Sequence, residues 1–497
     1  MVAPVYILLG VEAVMEFILT RIEYQKTIYR LMSASILLFC LLFCAFWIFF
    51  DHITWTTTIL FAVSLFRALN IMRFGYGRMR QGYLKKVVSR SSWRLTILQI
   101  ISFLLVYLVV NQPTILVPLL LGSSLLGLCL MLKSLLNNIR PTKIVDVDIT
   151  GNDVPVVTVA IPARNETDDM AACIQSILES DYPKLEVLVL DDCSHDQTPE
   201  VIRQFAHAGV RFIQGEEPEN GWLAKNSAYQ RLSDEATGEY ILFCGVDIRF
   251  DSGGITDLIN YMCSKKLNMI SLLPRRVRHI QQALFFQAAR YGWEIVLPRF
   301  LDKERPPALS SCWMVKKSFL GAGGFKAVSH SVMPERFFAR KASAINSYNF
   351  LANRNLKLAH SHKTAKQQHQ TGIRLRYPQL RKRPENVALY LMSLVWLFFL
   401  PSTLLLSGLI SSIPMSWAIL SITIILCWSI ISYKLFTVVT GRTVATLLAV
   451  IFPLVILVDI YTCLISLWRY EFGQIEWKGR NVCLPIMHVL PKLPEIE

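Results

Sequence analysis

Short apolar runs alternate with longer mixed segments between residues 156 and 247. Four of these runs are rich in Val, Ile, Leu and Phe and stop at polar residues: Val156–Ile161, Glu186–Leu190, Val210–Ile213 and Tyr240–Cys244. Three segments of helical length lie between them: Asp168–Glu179, Pro199–Ala208 and Leu223–Ala236. Strands that alternate with helices are typical of βαβ units. The pattern therefore predicts an α/β domain with a mostly parallel sheet, at residues 151–370.

Polar residues follow three of these predicted strands. Ligands of open α/β sheets bind beyond the carboxyl ends of the strands. The polar side chains at those ends are Arg164, Asn165 and Glu166, then Asp191 and Asp192, then Asp247. We therefore expect a ligand site at this edge of the sheet.

Apolar runs outside this domain have the length of membrane spans, which need about 20 apolar residues. The predicted N-terminal membrane region, residues 1–143, contains spans at 31–50, 53–72, 95–110 and 113–136. The predicted C-terminal membrane region, residues 387–468, contains the runs Val387–Ile410, Pro414–Phe436 and Val444–Trp468. The last run contains Pro453 and Asp459, and we expect one of the three C-terminal runs to be bent or re-entrant.

Composition and charge support an integral membrane protein. Hydrophobic residues make up 53% of the 497 residues and charged residues 18%, with a net charge of +15. The loop 73–94 holds seven Lys/Arg and no acidic residue, which predicts a cytosolic loop under the positive-inside rule. The same rule places the domain 151–370 in the cytosol. The basic residues flank the apolar runs, so an anionic membrane surface is the expected partner and nucleic acid is not.

Two further segments, 371–386 and Pro274–Arg299, are rich in basic residues. Residues 371–386 are predicted to lie at the membrane interface, before the C-terminal spans, and the tail 469–497 follows the last span. Pro274–Arg299 mixes arginines with aromatic residues, and it fits either a helix in the membrane interface or an ordinary domain helix with a basic face.

Several motifs together resemble one family. They are Ile161-Pro-Ala-Arg-Asn-Glu166, Asp191-Asp192, Gly221-Trp-Leu-Ala-Lys-Asn226, Gly245-Val-Asp247, GAGGFKAV at 321–328 and IEWKGR at 475–480. The chain resembles membrane-bound family 2 glycosyltransferases, in the branch that glycosylates ceramides, hopanoids and carotenoids. The resemblance implies an A-type nucleotide-sugar domain, a Rossmann-like α/β fold, inserted between transmembrane helices. It also implies nucleotide-sugar binding by these residues: Pro162, Arg164, Asn165, Glu166, Asp191, Asp192 and Lys225.

Lys225 is the candidate for the donor diphosphate. It lies in the first turn of a predicted helix, where free backbone N–H groups and an ammonium group both favour an anion. The family usually has Gly where this chain has Ala224. The alternative is a lysine on a solvated surface, although a cation at this helix end is slightly unfavourable.

Asp247 is the candidate metal ligand. The family pattern at this strand end is Asp-x-Asp, and Gly245 stands here in place of the first carboxylate. The resemblance still implies a divalent cation, Mg²⁺ or Mn²⁺, because these ions can complete their shells with diphosphate and water oxygens. Asp251 is a weaker substitute for the missing ligand.

Glu335 is the candidate general base. The family places Glu-Asp after the GGFKAV motif, and this chain has Pro334-Glu335. A carboxylate beside an acceptor hydroxyl can remove its proton. The alternative is a solvated glutamate paired with Arg336 or Arg340.

Two C-terminal motifs are candidates for leaving-group or acceptor contacts. The family's Gln/Arg-x-x-Arg-Trp motif has an imperfect counterpart here, with Arg374, Arg376 and Tyr377 as the matching residues. Basic residues at a membrane surface are the alternative. Trp477 and Arg480 belong to the clearer WKGR match, in which Gly479 is expected to permit close backbone approach.

These expectations combine into an inverting hexosyltransferase of a bacterial plasma membrane. The donor is expected to be a nucleotide diphosphate sugar linked to uridine, and the acceptor a membrane lipid hydroxyl. Two alternatives stay open: a processive polysaccharide synthase and a degenerate, noncatalytic membrane scaffold. The missing carboxylate at Gly245 favours the scaffold, while Asp191, Asp192, Lys225 and Asp247 oppose it.

Overall fold

The structure is a computed structural model, and it describes residues 113–138, 154–219, 221–276, 295–296, 306–321, 323–352, 358–408, 413–439 and 442–482. The predictions for spans 31–50, 53–72 and 95–110, for the loop 73–94 and for most of Pro274–Arg299 lie outside these residues.

A seven-stranded sheet forms the centre of the domain, in the order β3-β2-β1-β4-β8-β6-β9. Its strands are β1 Val157–Ala163, β2 Leu185–Asp191, β3 Val210–Gln214, β4 Tyr240–Cys244, β6 Met269–Leu272, β8 Cys312–Lys316 and β9 Tyr348–Leu351. Strands β1 to β4 are parallel neighbours, while β8 runs antiparallel to both β4 and β6. The predicted α/β domain with a mostly parallel sheet is therefore confirmed.

Helices cover the sheet and continue into the C-terminal region. They are α1 Pro113–Asn138, α2 Thr167–Leu178, α3 Thr198–Arg203, α4 Ala224–Glu235, α5 Gly254–Ser264, α6 Lys317–Leu320, α7 Pro334–Ala344, α8 Ala365–Gln379, α9 Pro384–Leu394, α10 Leu400–Gly408, α11 Met415–Val439, α12 Arg442–Val450 and α13 Phe452–Glu471. Short 3₁₀ turns occupy Ala206–Ala208 and Lys326–Val328, and a π-helical turn Val395–Phe399 joins α9 to α10.

The central strands are buried on both faces, as parallel strands covered by helices usually are. In β1, Val159 and Ile161 pack into one core cluster with α2 and α5, and Ala160 packs into a second cluster with α4 and α7. This alternation follows the two-residue period of a strand. Because both faces of β1 are buried, its sequence is a continuous apolar run.

An aromatic group holds the two helices that carry Lys225 and Glu335. Phe243 of β4 lies 4.8 Å from the Tyr229 ring and 4.5 Å from the Trp313 ring, measured between centroids. Tyr229 is one turn after Lys225 in α4, and Phe338, which stacks near Trp313, is one turn after Glu335 in α7. Packing of these rings therefore fixes the starts of both helices at the sheet.

A second, three-stranded sheet brings a distant segment to the carboxyl end of β4. Its strands are β5 Ile248–Phe250, β7 Arg275–Arg276 and β10 Ala359–Ser361, in the order β5-β10-β7. In the antiparallel register, Ser361 of β10 lies opposite Ile248 of β5. The chain that follows β10 therefore passes directly over Asp247.

Four of the described helical segments are long and apolar enough to cross a membrane: Val117–Asn137, Asn386–Leu406, Met415–Val438 and Phe452–Glu471. Apolar side chains such as Ile419, Leu426 and Leu457 are about half exposed along them, as lipid-facing residues would be. The predicted run Val444–Trp468 is divided at Ile451, because α12 ends there and Pro453 lies in the first turn of α13.

Candidate active site

A cavity of about 690 Å³ lies at the carboxyl edge of the sheet. Its wall combines β-strand ends, the start of α4, helix α8 and a short C-terminal hairpin formed by β11 Glu476–Trp477 and β12 Arg480–Asn481. Among the predicted site residues it is lined by Pro162, Glu166, Lys225, Asp247, Arg374 and Trp477. The cavity also reaches Arg469 near the end of α13, which is one of the helices apolar enough to span a membrane.

Lys225 lies in the first turn of α4, as predicted, and lines the cavity. Its Nζ is 5.1 Å from the centroid of the Tyr229 ring. Burial of the ammonium group lowers its pKa to about 7, and the nearby guanidinium of Arg374 and ammonium of Lys363 act in the same direction. The carboxylate of Glu335 acts in the opposite direction. The site therefore holds a cation that an incoming phosphate would stabilise strongly.

Asp247 lies at the cavity with both carboxylate oxygens engaged. Its Oδ1 is 3.2 Å from Lys363 Nζ, and its Oδ2 accepts a hydrogen bond of 2.9 Å from the Ser361 hydroxyl. Asp251, the weaker candidate, pairs with His360 at 3.2 Å and is not among the residues that line the cavity.

The fit of a divalent cation to these residues is poor in the arrangement that the structure shows. Mg²⁺ and Mn²⁺ need several oxygen ligands that face the ion. Gly245 supplies none, and Lys363 brings a positive charge to the Asp247 carboxylate. The described residues contain no cluster of three or more His, Cys, Asp or Glu side chains close enough together to hold a metal ion. The expected cation at Asp247 therefore stays a prediction, and no step of the chemistry below depends on it.

Asp191 and Asp192 are buried beside the loop that follows β1, with exposed fractions of 1% and 3%. Asp191 Oδ2 accepts a hydrogen bond from the Ser194 backbone, whereas its Oδ1 has no hydrogen-bond partner among the described residues. The same is true of Asp192 Oδ2. Burial raises the pKa of Asp192, and Arg480 and Arg164 oppose this rise. Buried acceptor oxygens usually have a hydrogen-bond partner, so these two are notable, although neither residue lines the cavity.

The loop 164–166 is held by backbone contacts on one side. Arg164 donates from Nη1 to the carbonyl oxygen of Cys193 at 2.8 Å, and from Nε to that of Lys478 at 3.0 Å. Asn165 adopts a φ of +51° and accepts a hydrogen bond from the His195 backbone at 2.9 Å. Arg164 and Asn165 therefore shape the loop, and Glu166 is the member of the triplet that lines the cavity.

The WKGR hairpin lies on this loop. Lys478 Nζ is 3.0 Å from Glu166 Oε1, and Arg480 Nη1 is 2.6 Å from Asp192 Oδ1. Lys478 and Gly479 form the turn with φ values of +50° and +80°, as a type I′ hairpin turn requires. Gly479 therefore suits the turn itself, and an added Cβ would meet no protein atom within 4 Å. Gly479 also lines the cavity, and its close approach to a ligand stays a prediction.

Glu166 is affected by this contact in two opposing ways. Burial raises the pKa of its carboxyl group, and the ammonium of Lys478 lowers it by attraction and a hydrogen bond. The net direction is upward, because the effect of burial exceeds the attraction of Lys478.

Glu335 lies in the first turn of α7 with an exposed fraction of 2%. This burial excludes the alternative of a solvated surface glutamate. Its carboxylate acts on the pKa of Lys225, but it is not among the residues that line the cavity. Its role as the base stays a prediction.

The three residues of the imperfect Gln/Arg-x-x-Arg-Trp match are separated by the structure. Arg374 lines the cavity, with its guanidinium 5.8 Å from the centroid of the Trp477 ring. Arg376 is buried on the other side of α8, where it pairs with Asp459 of α13 and donates to the Tyr390 hydroxyl at 3.1 Å. Tyr377 is also buried and donates to Glu471 at 2.5 Å. Only Arg374 therefore faces the space where a leaving group would lie.

The sequence prediction missed Ser361 and Lys363. Both lie before the basic interfacial segment and contact the Asp247 carboxylate instead of facing outward. The only local signal is the short polar stretch after the Leu358–Ala359 apolar pair, and it does not reveal which strand end it meets.

Comparison with known proteins agrees with this geometry. Residues 158–322 match the model of the family described as Glycosyl transferase family 2. The chain therefore contains a family 2 glycosyltransferase domain, flanked by helices that are apolar enough to span a membrane.

Two curated relatives are glycosyltransferases by name. Glycosyltransferase AglE of Haloferax volcanii is 33% identical over 84 residues, which are 16% of this chain and 28% of that protein. The 4,4'-diaponeurosporenoate glycosyltransferase of Staphylococcus aureus is 28% identical over 124 residues, which are 24% of this chain and 32% of that protein. The matches span less than half the length of these curated relatives.

A solved structure is also similar. It is the mannosyltransferase PcManGT of Pyrobaculum calidifontis in complex with GDP-Man and Mn²⁺, which is 17% identical with a TM-score of 0.42. The match covers 72% of this chain and 99% of that chain.

Proposed function

We propose that the protein transfers a hexose from a nucleotide diphosphate sugar, with uridine as the nucleoside, to the hydroxyl group of a membrane lipid, with inversion at the sugar. The observation that carries this proposal is the cavity itself. It combines Lys225 and Arg374 with Pro162 and Glu166 of the loop after β1. Asp191 and Asp192 are buried beside this loop and do not line the cavity themselves. Cations suit a diphosphate, and buried acceptor oxygens suit the N–H and hydroxyl groups of a nucleoside.

The lipid acceptor is supported by the position of α13. Arg469 lines the cavity from the last turns of this apolar helix, so an acceptor with its hydrocarbon chain in the membrane would bring its polar end to the cavity. The relative from Staphylococcus aureus that is named for diaponeurosporenoate, a carotenoid, supports the same acceptor class.

The proposed step is a single displacement. The Glu335 carboxylate takes the proton of the acceptor hydroxyl, and the hydroxyl oxygen forms a bond to the anomeric carbon of the sugar. The bond from that carbon to the diphosphate oxygen breaks, and the diphosphate leaves with the electron pair. Lys225 and Arg374 stabilise the charge that develops on the leaving group, which is where preorganised cations accelerate a reaction most.

The test is transfer by the purified full chain in nanodiscs that contain a lipid extract. Each of several labelled nucleotide sugars is supplied, and label in the lipid fraction is the expected result. The anomeric configuration of the product should be opposite to that of the donor. Label in a long polymer would support the polysaccharide synthase instead. Nucleotide binding with no transfer to any acceptor would support the noncatalytic scaffold.

A further inference from the structure

The position of Lys363 is fixed by the backbone. Strand β10 pairs with β5 so that Ser361 lies opposite Ile248, and the His362 backbone N–H donates to the carbonyl oxygen of Asp247 at 2.9 Å. Lys363 follows at once, and its Nζ lies 3.2 Å from Asp247 Oδ1. The side chains of both partners are largely buried, with exposed fractions of 18% and 13%. This ion pair is therefore better shielded from solvent than a surface pair.

Gly245 completes this arrangement. A Cβ at position 245 would lie 2.8 Å from Asp247 Oδ1, the oxygen that contacts Lys363. The carboxylate of Asp247 therefore occupies space that a side chain at 245 would need. Compared with the Asp-x-Asp pattern, Gly245 removes one negative charge from this strand end. Lys363 places a positive charge at the remaining carboxylate, Asp247.

Basic side chains outnumber acidic side chains in the lining of the cavity. Six lysines and arginines and four acidic residues line it. Three of these acids have close basic partners: Asp247 with Lys363, Glu166 with Lys478 and Asp169 with Arg249. The lining therefore carries more positive than negative charge. A diphosphate site requires this excess when the protein itself supplies the neutralising charge.

We propose that the ammonium group of Lys363, held by Asp247 and adjacent to Lys225, takes the place of a divalent cation and binds the donor diphosphate, so that binding and transfer proceed without Mg²⁺ or Mn²⁺. Lysine binds phosphate as a compact point charge, which is the task that a divalent cation would otherwise perform. Asp247 is then a positioning residue that orients Lys363. This inference rests on the proposed nucleotide diphosphate sugar as donor. It replaces the expected Mg²⁺ or Mn²⁺ at Asp247 by a side chain of the protein.

The test measures nucleotide diphosphate binding by calorimetry, together with transfer, on the full chain in nanodiscs. After treatment with EDTA, affinity and rate should stay within about twofold of the values with added Mn²⁺. Lys363→Met should weaken binding in EDTA by about tenfold or more, as loss of a charge-assisted hydrogen bond predicts, whereas Lys363→Arg should retain most of the affinity. Lys265→Met, an exposed lysine outside the cavity, is the matched control.

Binding of Mn²⁺ itself gives an independent readout. The spectrum of free Mn²⁺ in electron paramagnetic resonance should not change on addition of the protein alone. The nucleotide binds Mn²⁺ itself, and the decrease that it causes in the free signal should be the same with and without the protein. If EDTA abolishes binding and transfer, and Mn²⁺ restores both, the inference is overturned and the transferase function stands. Normal affinity of Lys363→Met in EDTA would also overturn it. If no nucleotide binds under any condition, the proposed function itself fails.

Discussion

Arg480 of the C-terminal hairpin lies 2.6 Å from Asp192 at the end of β2, although 288 residues separate them in the chain. Asp192 is buried, and its pKa is raised by that burial and lowered by the guanidinium. Arg480 therefore favours the charged form of this carboxylate and partly offsets the effect of burial. If Asp192 binds the nucleoside, as proposed, the hairpin should affect donor binding more than departure of the diphosphate.

Substitution of Arg480 tests this relationship. Arg480→Ala should raise the KM for the donor by about 10- to 100-fold, because loss of a hydrogen bond between charged groups costs about 1.5–3 kcal/mol. The kcat should change much less. Arg211→Ala, which removes an exposed arginine paired with Glu235, is the control. A fall in kcat with an unchanged KM would instead assign Arg480 to the leaving group, as the sequence motif predicted.

The pH dependence of donor binding tests Lys225. With its pKa lowered to about 7 by burial, Lys225 is charged below this pH and neutral above it in the free protein. The diphosphate prefers the charged form, so donor affinity should fall by up to about tenfold per unit as pH rises above 7. Calorimetric titrations with nucleotide diphosphate between pH 6 and pH 9 measure this fall.

Two variants assign this fall to Lys225. Lys225→Met should bind weakly with little pH dependence over the same range, and Lys225→Arg should keep its affinity at high pH because its guanidinium stays charged. An unchanged slope in Lys225→Met would show that another group titrates.

The pair Arg376–Asp459 is expected to support the structure more than the chemistry. It joins α8, which lines the cavity, to the apolar helix α13, and both side chains are buried. Asp459→Ala should destabilise the protein by about 3–5 kcal/mol, because it leaves an uncompensated buried charge. The double variant Arg376→Met/Asp459→Leu should regain much of this loss. Thermal unfolding in detergent measures both.

Activity of the double variant decides the role of Arg376. If the refolded double variant transfers sugar at a near-normal rate, Arg376 positions α8 and does not contact the leaving group. A stable double variant with a large loss of kcat would restore the role that the motif predicted.

The strands were predictable because their signal is local. The run Tyr240–Cys244 has the same bounds in sequence and structure, since five buried apolar residues are followed by Gly245. The same locality placed Asp191, Asp192 and Asp247 at one edge of the sheet. Helix α2 was also predictable from the sequence, because Met170, Cys173, Ile174 and Ile177 recur at the helical period. All four are buried in the structure.

The contacts between distant segments were not predictable in this way. Lys363 and Arg376 both belong to a stretch rich in basic residues, and their charge alone fits a membrane surface equally well. Their partners, Asp247 and Asp459, are brought to them by a strand pairing and a helix packing that no local pattern encodes. The division of the last apolar run at Ile451 was signalled by Pro453, but the helix bounds were not.

Topology offers a further prediction. The basic loop 73–94 and the domain 151–370 should lie on the same, cytosolic side, because the positive-inside rule and the cytosolic supply of nucleotide sugars agree. A cysteine introduced at Lys265, which is exposed in the domain, should not react with a membrane-impermeant reagent in intact cells. It should react after lysis, and the unsubstituted chain reports the background of the native cysteines. Efficient labelling of intact cells would reverse the orientation.

Glu335 is the last assignment to test, and its surroundings decide which variants are informative. Removal of a general base typically lowers the rate by about 10²–10⁴-fold. Glu335→Gln should therefore lower kcat by that order, while Glu200→Gln, on the surface helix α3, should not. Donor affinity should be measured together with kcat, because Glu335 also raises the pKa of Lys225, and its loss is expected to weaken donor binding as well.

Glu335→Asp restores the residue of the related family but shortens the side chain by one methylene group. Helix α7 cannot easily advance to compensate, because Phe338, one turn later, is fully buried against Trp313 and Phe325. We therefore expect Glu335→Asp to be slow too, with a loss between those of the wild type and Glu335→Gln. A fully active Glu335→Asp would mean that the acceptor hydroxyl can approach closer to α7 than this packing implies. Normal turnover of Glu335→Gln would assign the base to another residue and leave the transferase activity itself established.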